Sequence, residues 1–267
     1  MHGRPESSFR LESNGKVGVY SFLRGIATDE KYKRFVTFWP QFAPYWKVIL
    51  PADKVRALTP PVDLQSWNPD GPRGYQFHGK RGTTNIVIAD MWRDDITPFH
   101  VVHAAAIYCQ KHHGAKLHLY GLHRTKALDV LLAALESIGV LGEAVGMVDG
   151  LANVYRAADM LVSPHAIATR AIREAMACGC PVIAPLFGAS YDIEVMATDM
   201  ESVWTRDETR KYAEQNYDSR ITADEMIALV EEALNRRTLT CDHGRTNDHG
   251  DACLDCGAVY VSGEGWQ

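Results

Sequence analysis

The 267-residue chain has no apolar run long enough to cross a bilayer, and its first ten residues, MHGRPESSFR, lack the apolar centre of a secretory signal. The expected compartment is therefore the cytosol. A basic excess is also missing: 28 Lys and Arg stand against 33 Asp and Glu, a net charge of −5. That balance argues against a dedicated, sequence-independent DNA binder, while a local basic patch stays open. There is no glycine fingerprint for dinucleotides and no P-loop, which lowers the nicotinamide-enzyme and nucleotide-hydrolase readings. Cysteine is scarce, six in all, and Cys241, Cys253 and Cys256 crowd the far end while Cys109, Cys178 and Cys180 are scattered. A secreted disulfide framework would distribute them differently. Cys178 and Cys180 flank Gly179 at the end of a helical pattern and read as small buried hydrophobes rather than a redox pair.

With 46% apolar residues, the chain is long enough for one large domain or two modest ones. Its most informative stretch is Ala144–Pro185. Three short apolar runs, Ala144–Val148, Met160–Ser163 and Pro181–Pro185, alternate with helical segments Leu151–Ala158 and Thr169–Cys178. Strands alternating with helices of this length predict a parallel sheet covered by helices. Asn85–Asp90 and Ala115–Gly121 read as two further strands, and Pro98–His113 and Thr125–Ile138 as two further helices, which complete that sheet.

In the second helix, Ile172, Ala175, Met176 and Gly179 share one side, and the small residues among them let it lie close on the sheet. Arg170 and Glu174, four apart, share another face. Thr169 is the expected N-cap. The unbonded N–H groups of this helix start should face the crevice at the carboxyl ends of the strands, where open α/β sheets bind ligands and where an anion is favoured.

The order Gly146-x-Val148, Tyr155-x-x-Ala158-Asp159, an apolar strand, Ser163-Pro164, then Glu174 through Ala184 (EAMACGCPVIA) resembles the donor-nucleotide half of GT-B glycosyltransferases, specifically the retaining family four. With Val62-Asp63, similar to that family's Gly-Val-Asp at the start of its second domain, the resemblance runs from about Pro60 to Pro185. It implies an α/β fold with a Rossmann-like parallel sheet, a nucleoside diphosphate sugar as donor, and transfer with retention. It also implies that residues 1–74 are a shortened, acceptor-side N-terminal region, that 75–238 bind the nucleotide sugar, and that a partner protein completes the N-terminal domain.

The family's two donor glutamates lie eight positions apart. Glu174 matches the second, on the nucleotide ribose, whereas the first falls at Ala166. The family's Arg and Lys that neutralise the diphosphate fall at Asp90 and Asp95. A departing diphosphate needs positive charge or aligned N–H dipoles, so Arg93 and Arg170 are the candidate replacements and His165 the candidate to meet the sugar. Arg170 has the alternative of pairing only with Glu174, Arg93 of being a solvated loop charge, and His165 of being a capped turn residue. Thr169 heads the donor helix, Met147 and Val148 are placed to reach the base with backbone groups, and Phe187 and Gly188 to line the donor sugar. Asp149 either joins the base site or caps the helix from Leu151. Transfer itself needs no metal, Asp94-Asp95 being a weak candidate.

The remainder is less specific. Val17–Phe22, Trp46–Leu50 and Val55–Leu58 read as strand pieces, and Phe187–Arg206 as irregular. Thr222 and Glu225 read as a capping box opening a helix whose apolar face includes Met226–Leu234. In the tail, 239–267, Cys241-x-His243 and Cys253-x-x-Cys256 offer two ligand pairs that suit a closed, structural zinc site, with His249 as a substitute for His243. The leading expectation is a cytosolic glycosyltransferase acting on a glycan, lipid, protein or modified nucleic-acid base. The rival is a non-catalytic nucleotide-sugar-binding module, or one half of a split enzyme, docking through its zinc knuckle.

Overall fold

A computed structural model describes residues 34–71, 75, 77, 83–90, 99–123, 125–240, 260–261 and 265–266. The expected strand Val17–Phe22, the candidates Arg93, Asp94 and Asp95, and the expected zinc ligands Cys241, His243, Cys253 and Cys256, with His249, lie outside the described residues. The chain divides into two compact units, one of Met1–Thr59 with Ile221–Gln267 and the other of Pro60–Arg220.

In the first unit, β1 (Phe35–Thr37) pairs in parallel with β2 (Val55–Ala57), and α1 (Ala43–Ile49) lies between them in sequence. Trp46–Leu50, expected as a strand, therefore belongs mostly to a helix. Pro44 occupies its first turn, and Ala43, Trp46 and Leu50, spaced three and four apart, are the buried positions while Val48 is 87% exposed. The unit also holds most of the long last helix, α8 (Ser219–Thr240). Thr222 donates its hydroxyl to the Thr59 carbonyl at 2.8 Å. The Glu225 carboxylate accepts from the Thr59 amide and hydroxyl at 2.7 and 2.9 Å. The Thr222–Glu225 spacing thus serves a tertiary clasp inside the helix rather than a capping box. A capping box does occur, at Thr205 and Glu208. A terminal hairpin, β8 (Tyr260–Val261) with β9 (Gly265–Trp266), completes the described elements.

The second unit is built on five parallel strands, β3 (Asn85–Ala89), β4 (Lys116–Tyr120), β5 (Leu141–Ala144), β6 (Met160–Val162) and β7 (Val182–Ile183), in the order β5-β4-β3-β6-β7. Its helices are α2 (Phe99–Lys111), α3 (Lys126–Ser137), α4 (Leu151–Ala157), α5 (Arg170–Ala177), α6 (Ile193–Asp199) and α7 (Arg206–Asn216). Alternation along the strands splits the core in two. Ile86, Ile88, Leu117, Leu119 and Val162 pack with α2, α3 and α6, while Val87 and Leu161 pack with α4, α5 and α7. A sheet covered on both faces needs near-continuous apolar strands, and NIVIA in β3 is such a run.

The stretch expected as strand Ala144–Val148 is a turn: β5 ends where that strand was to begin. The cap of α4 is Gly150, at φ 75°, a left-handed conformation that glycine adopts without strain; Asp149 does not cap it. The region after Phe187 is not irregular throughout, since Asp192 caps α6 by accepting from the Glu194 and Val195 amides at 3.0 and 3.1 Å. The α5 pattern stands as read. Thr169 caps it, and Ile172, Ala175 and Met176 are fully buried, Ile172 and Met176 contributing roughly 1.5–3 kcal/mol each. Val62 joins the two ends of the unit, donating its amide to Tyr217 O at 2.7 Å and accepting from Ser219 N at 3.1 Å.

Candidate active site

From β3 the chain passes through α2 on one face to β4 on one side. From β6 it passes through α5 on the other face to β7 on the opposite side. The two connections leave neighbouring strands in opposite directions, which opens a crevice at the carboxyl ends of β3 and β6, the point where ligands bind in open α/β sheets.

Two side chains meet there. Asp90, the residue after β3, places Oδ2 2.7 Å from Nε2 of His165, in the loop after β6. Their side chains are 19% and 21% exposed respectively. The loop is fixed through its backbone: the His165 amide approaches Ser163 Oγ at 3.4 Å, and the Leu186 amide donates to His165 O at 3.2 Å. Next along this loop, Thr169 Oγ1 accepts from the Ile172 amide at 3.5 Å. As in any helix start, the first N–H groups of α5, Arg170 and Ala171, have no partner within the helix.

Glu174 is more enclosed than its sequence position implies. It is 6% exposed and accepts a hydrogen bond from Nε of Arg170, whose side chain is 80% exposed and lies over it. Burial raises the pKa of the carboxyl, and the hydrogen bond and charge of Arg170 oppose that rise. The Tyr155 hydroxyl, without a hydrogen-bond partner among the described residues, is pushed up by burial first and by the Glu174 charge second. Glu174 thus sits at the edge of the core under the exposed Arg170 guanidinium, with the charge of Arg173 also favouring its ionised form.

The other expected donor residues fall in two further places. Met147 and Val148 follow β5 in a turn tied to the one after β4, Gly121 N donating to Gly146 O at 3.0 Å and Leu122 N to Val145 O at 3.2 Å. Met147 is 85% exposed. Phe187 and Gly188 line a cavity of about 270 Å³ with Asp199, Ser202 and Trp204, where Phe187 packs on Trp204 and Tyr212 at ring separations of 5.3 and 5.6 Å. Neither His165 nor Glu174 lines that cavity. Sequence reasoning missed Asp90 as a site residue: the family position marked it only as a lost cation, and no spacing rule links residues 90 and 165. Trp204 was missed as well, for want of any local signal.

Residues 86–215 match the family described as Glycosyl transferases group 1. The segment resembles the domain of that family. No curated protein matches the chain. Among solved structures, a glycosyltransferase from Rickettsia africae superposes with a TM-score of 0.63 at 16% identity over 80% of this chain and 67% of its own. HepE from Anabaena, solved with UDP and glucose, gives 0.62 at 13% identity over 79% of this chain and 67% of its own. Sucrose-phosphate synthase from Thermosynechococcus elongatus gives 0.62 at 15% identity over 88% and 67%. These likenesses show a GT-B-type fold for this segment, and the chain spans about two thirds of the length of each of these three structures.

Proposed function

We propose that the chain transfers a sugar from a uridine diphosphate sugar to an acceptor, in the cytosol, with retention of configuration as the family-four resemblance implies. The carrying observation is the crevice at the carboxyl ends of β3 and β6, into whose rim the loop from His165 to the start of α5 is built. HepE, whose fold is similar, was solved with UDP and glucose, which supports uracil as the base.

In this reading the diphosphate lies at the start of α5, where the Thr169-capped turn supplies N–H groups and a partial positive charge. Arg170 leaves Glu174 for the diphosphate. That single rotation uncovers the Glu174 carboxylate for the ribose hydroxyls and supplies the charge that the family's Arg and Lys would have given, with Arg93 as the second cation. Met147 and Val148 meet the base through their backbone, and Phe187 and Gly188 flank the sugar. The acceptor is a glycan, lipid, protein or modified nucleic-acid base, and a partner protein contributes to the acceptor side. Cys241, His243, Cys253 and Cys256 hold a structural zinc, which zero zinc per purified chain would disprove.

Thermal shift tests the donor site. A ligand at a hundred times its Kd stabilises the folded state by about 2.7 kcal/mol, so UDP and UDP-glucose should raise the melting temperature of wild type and much less that of Glu174→Ala. No shift with any nucleoside diphosphate sugar would overturn the reading. One observation favours the non-catalytic alternative: Ala166 stands where the first donor glutamate belongs. Binding of UDP-sugars without turnover, alone or with a partner, would decide for that alternative.

A further inference from the structure

We propose that Asp90 and His165 form a proton-accepting dyad, with His165 the base that receives the acceptor's hydroxyl proton and Asp90 the residue that positions it. The inference rests on the transferase reading above and adds the group that performs the proton transfer.

Three observations carry it. The pair stands at the carboxyl ends of β3 and β6, where the crossover direction reverses. The 2.7 Å bond joins Oδ2 to Nε2, so the ring carries its proton on Nε2, and Nδ1, which has no hydrogen-bond partner among the described residues, presents the lone pair. His165 is also neither sealed nor loose: its side chain is 21% exposed, and its backbone is held by Ser163 and Leu186.

The same geometry rules on the other role available to a histidine beside a diphosphate. A protonated imidazole bonded to a carboxylate carries no net charge, so the pair is a poor replacement for the lost Arg and Lys. It is a good proton acceptor, because the carboxylate stabilises the imidazolium as it forms and fixes which nitrogen is free. In the step, the acceptor O–H bond breaks and its proton passes to Nδ1. The acceptor oxygen bonds to the anomeric carbon, and the bond from that carbon to the diphosphate breaks, its electron pair leaving with the nucleoside diphosphate. With acceptor and leaving group on one face of the sugar, this gives the retained anomer.

Water serves as the acceptor in the test, with UDP-glucose as donor and glucose release as the signal. A positioned base contributes roughly 10²–10⁴-fold, so His165→Gly should lower kcat by about that factor at nearly unchanged KM, and free imidazole should restore part of the rate. Asp90→Asn should lower kcat by roughly tenfold or more at the same KM, with partial recovery in Asp90→Glu, because its effect runs through the ring it holds. UDP should shift the melting temperature of every variant as it does wild type. Full kcat in His165→Gly, or a change in KM alone, would overturn the dyad and leave the transferase reading standing. A kcat loss that imidazole does not rescue, accompanied by a lower melting temperature, would overturn it in favour of a packing role. A wild-type chain that releases no sugar from any UDP-sugar and whose melting temperature UDP does not shift would overturn both.

Discussion

His118 and His165 lie in the same sheet unit and teach opposite lessons about what a polar neighbour does to an imidazole. His118, in the middle of β4, is fully buried. Its Nδ1 accepts from the Glu143 amide at 3.1 Å, its Nε2 meets Asn85 Oδ1 at 3.2 Å, and Phe77 lies against its ring at a centroid distance of 4.0 Å. Asn85 is held in turn by Asp159, which accepts its amide at 2.7 Å. Every nitrogen is engaged and burial pushes the imidazole down to about 4, so this histidine is a neutral structural bolt. His165 has, among the described residues, one ring partner, Asp90, and one ring nitrogen without a hydrogen bond, at the carboxyl end of β6. The difference is that both sides of β4 are strands, whereas His165 follows a strand end where pairing has stopped.

The comparison is broken most sharply by deletion. His118→Ala removes a stacked ring and two buried hydrogen bonds, and should cost about 4 kcal/mol in denaturant unfolding; a loss under about 1 kcal/mol would show that the network contributes little. Acid offers a second cut. Above pH about 6.5 both folded and unfolded states hold this ring neutral and its contribution is complete. As pH falls from there towards 4, the unfolded state takes up a proton that the folded state refuses, so stability drops by on the order of 3 kcal/mol. Comparing wild type with His118→Gln across that range measures it, and identical slopes would refute the assignment. Gly142→Ala probes the same ring from outside. A Cβ there would stand 2.4 Å from His118 Cε1, and the clash should cost roughly 2 kcal/mol, read as a lower melting temperature.

The crevice side should respond more weakly in stability. Arg170→Ala takes the exposed partner from the buried Glu174 carboxylate. Discounted for the solvent around the guanidinium, the loss should be about 1 kcal/mol at neutral pH, and it should shrink in acid as Glu174 takes up a proton. His165→Gln should change stability by less than about 0.5 kcal/mol. A larger effect would erase the contrast between the two histidines.

Much of the sheet was legible because its strands are short, continuous apolar runs. NIVIA can only be buried on both sides, and the Ile172, Ala175, Met176 pattern fixes which side of α5 meets the sheet. The errors fall where one local signal has two physical uses. Trp46–Leu50 is too short for its period to be counted by eye, and Pro44 decides it as a helix. Thr222 with Glu225 and Thr205 with Glu208 have the same spacing, yet only the second pair stands at a helix start, while the first reaches Thr59. At the site, the cap at Thr169 and the Arg170–Glu174 pairing were visible as local spacing. The covering of Glu174 and the meeting of Asp90 with His165 were not, since both arise from packing between residues distant in the chain.

The sheet's outermost members are meagre: β7 has only two residues, and the pairing of β4 with β5 slips in register between Leu117 and Leu119. Long, regular borders are templates on which other chains can add themselves strand by strand. Borders this brief and uneven offer little to copy. Lengthening β7 would therefore be expected to bring a cost in colloidal behaviour: a greater tendency to aggregate.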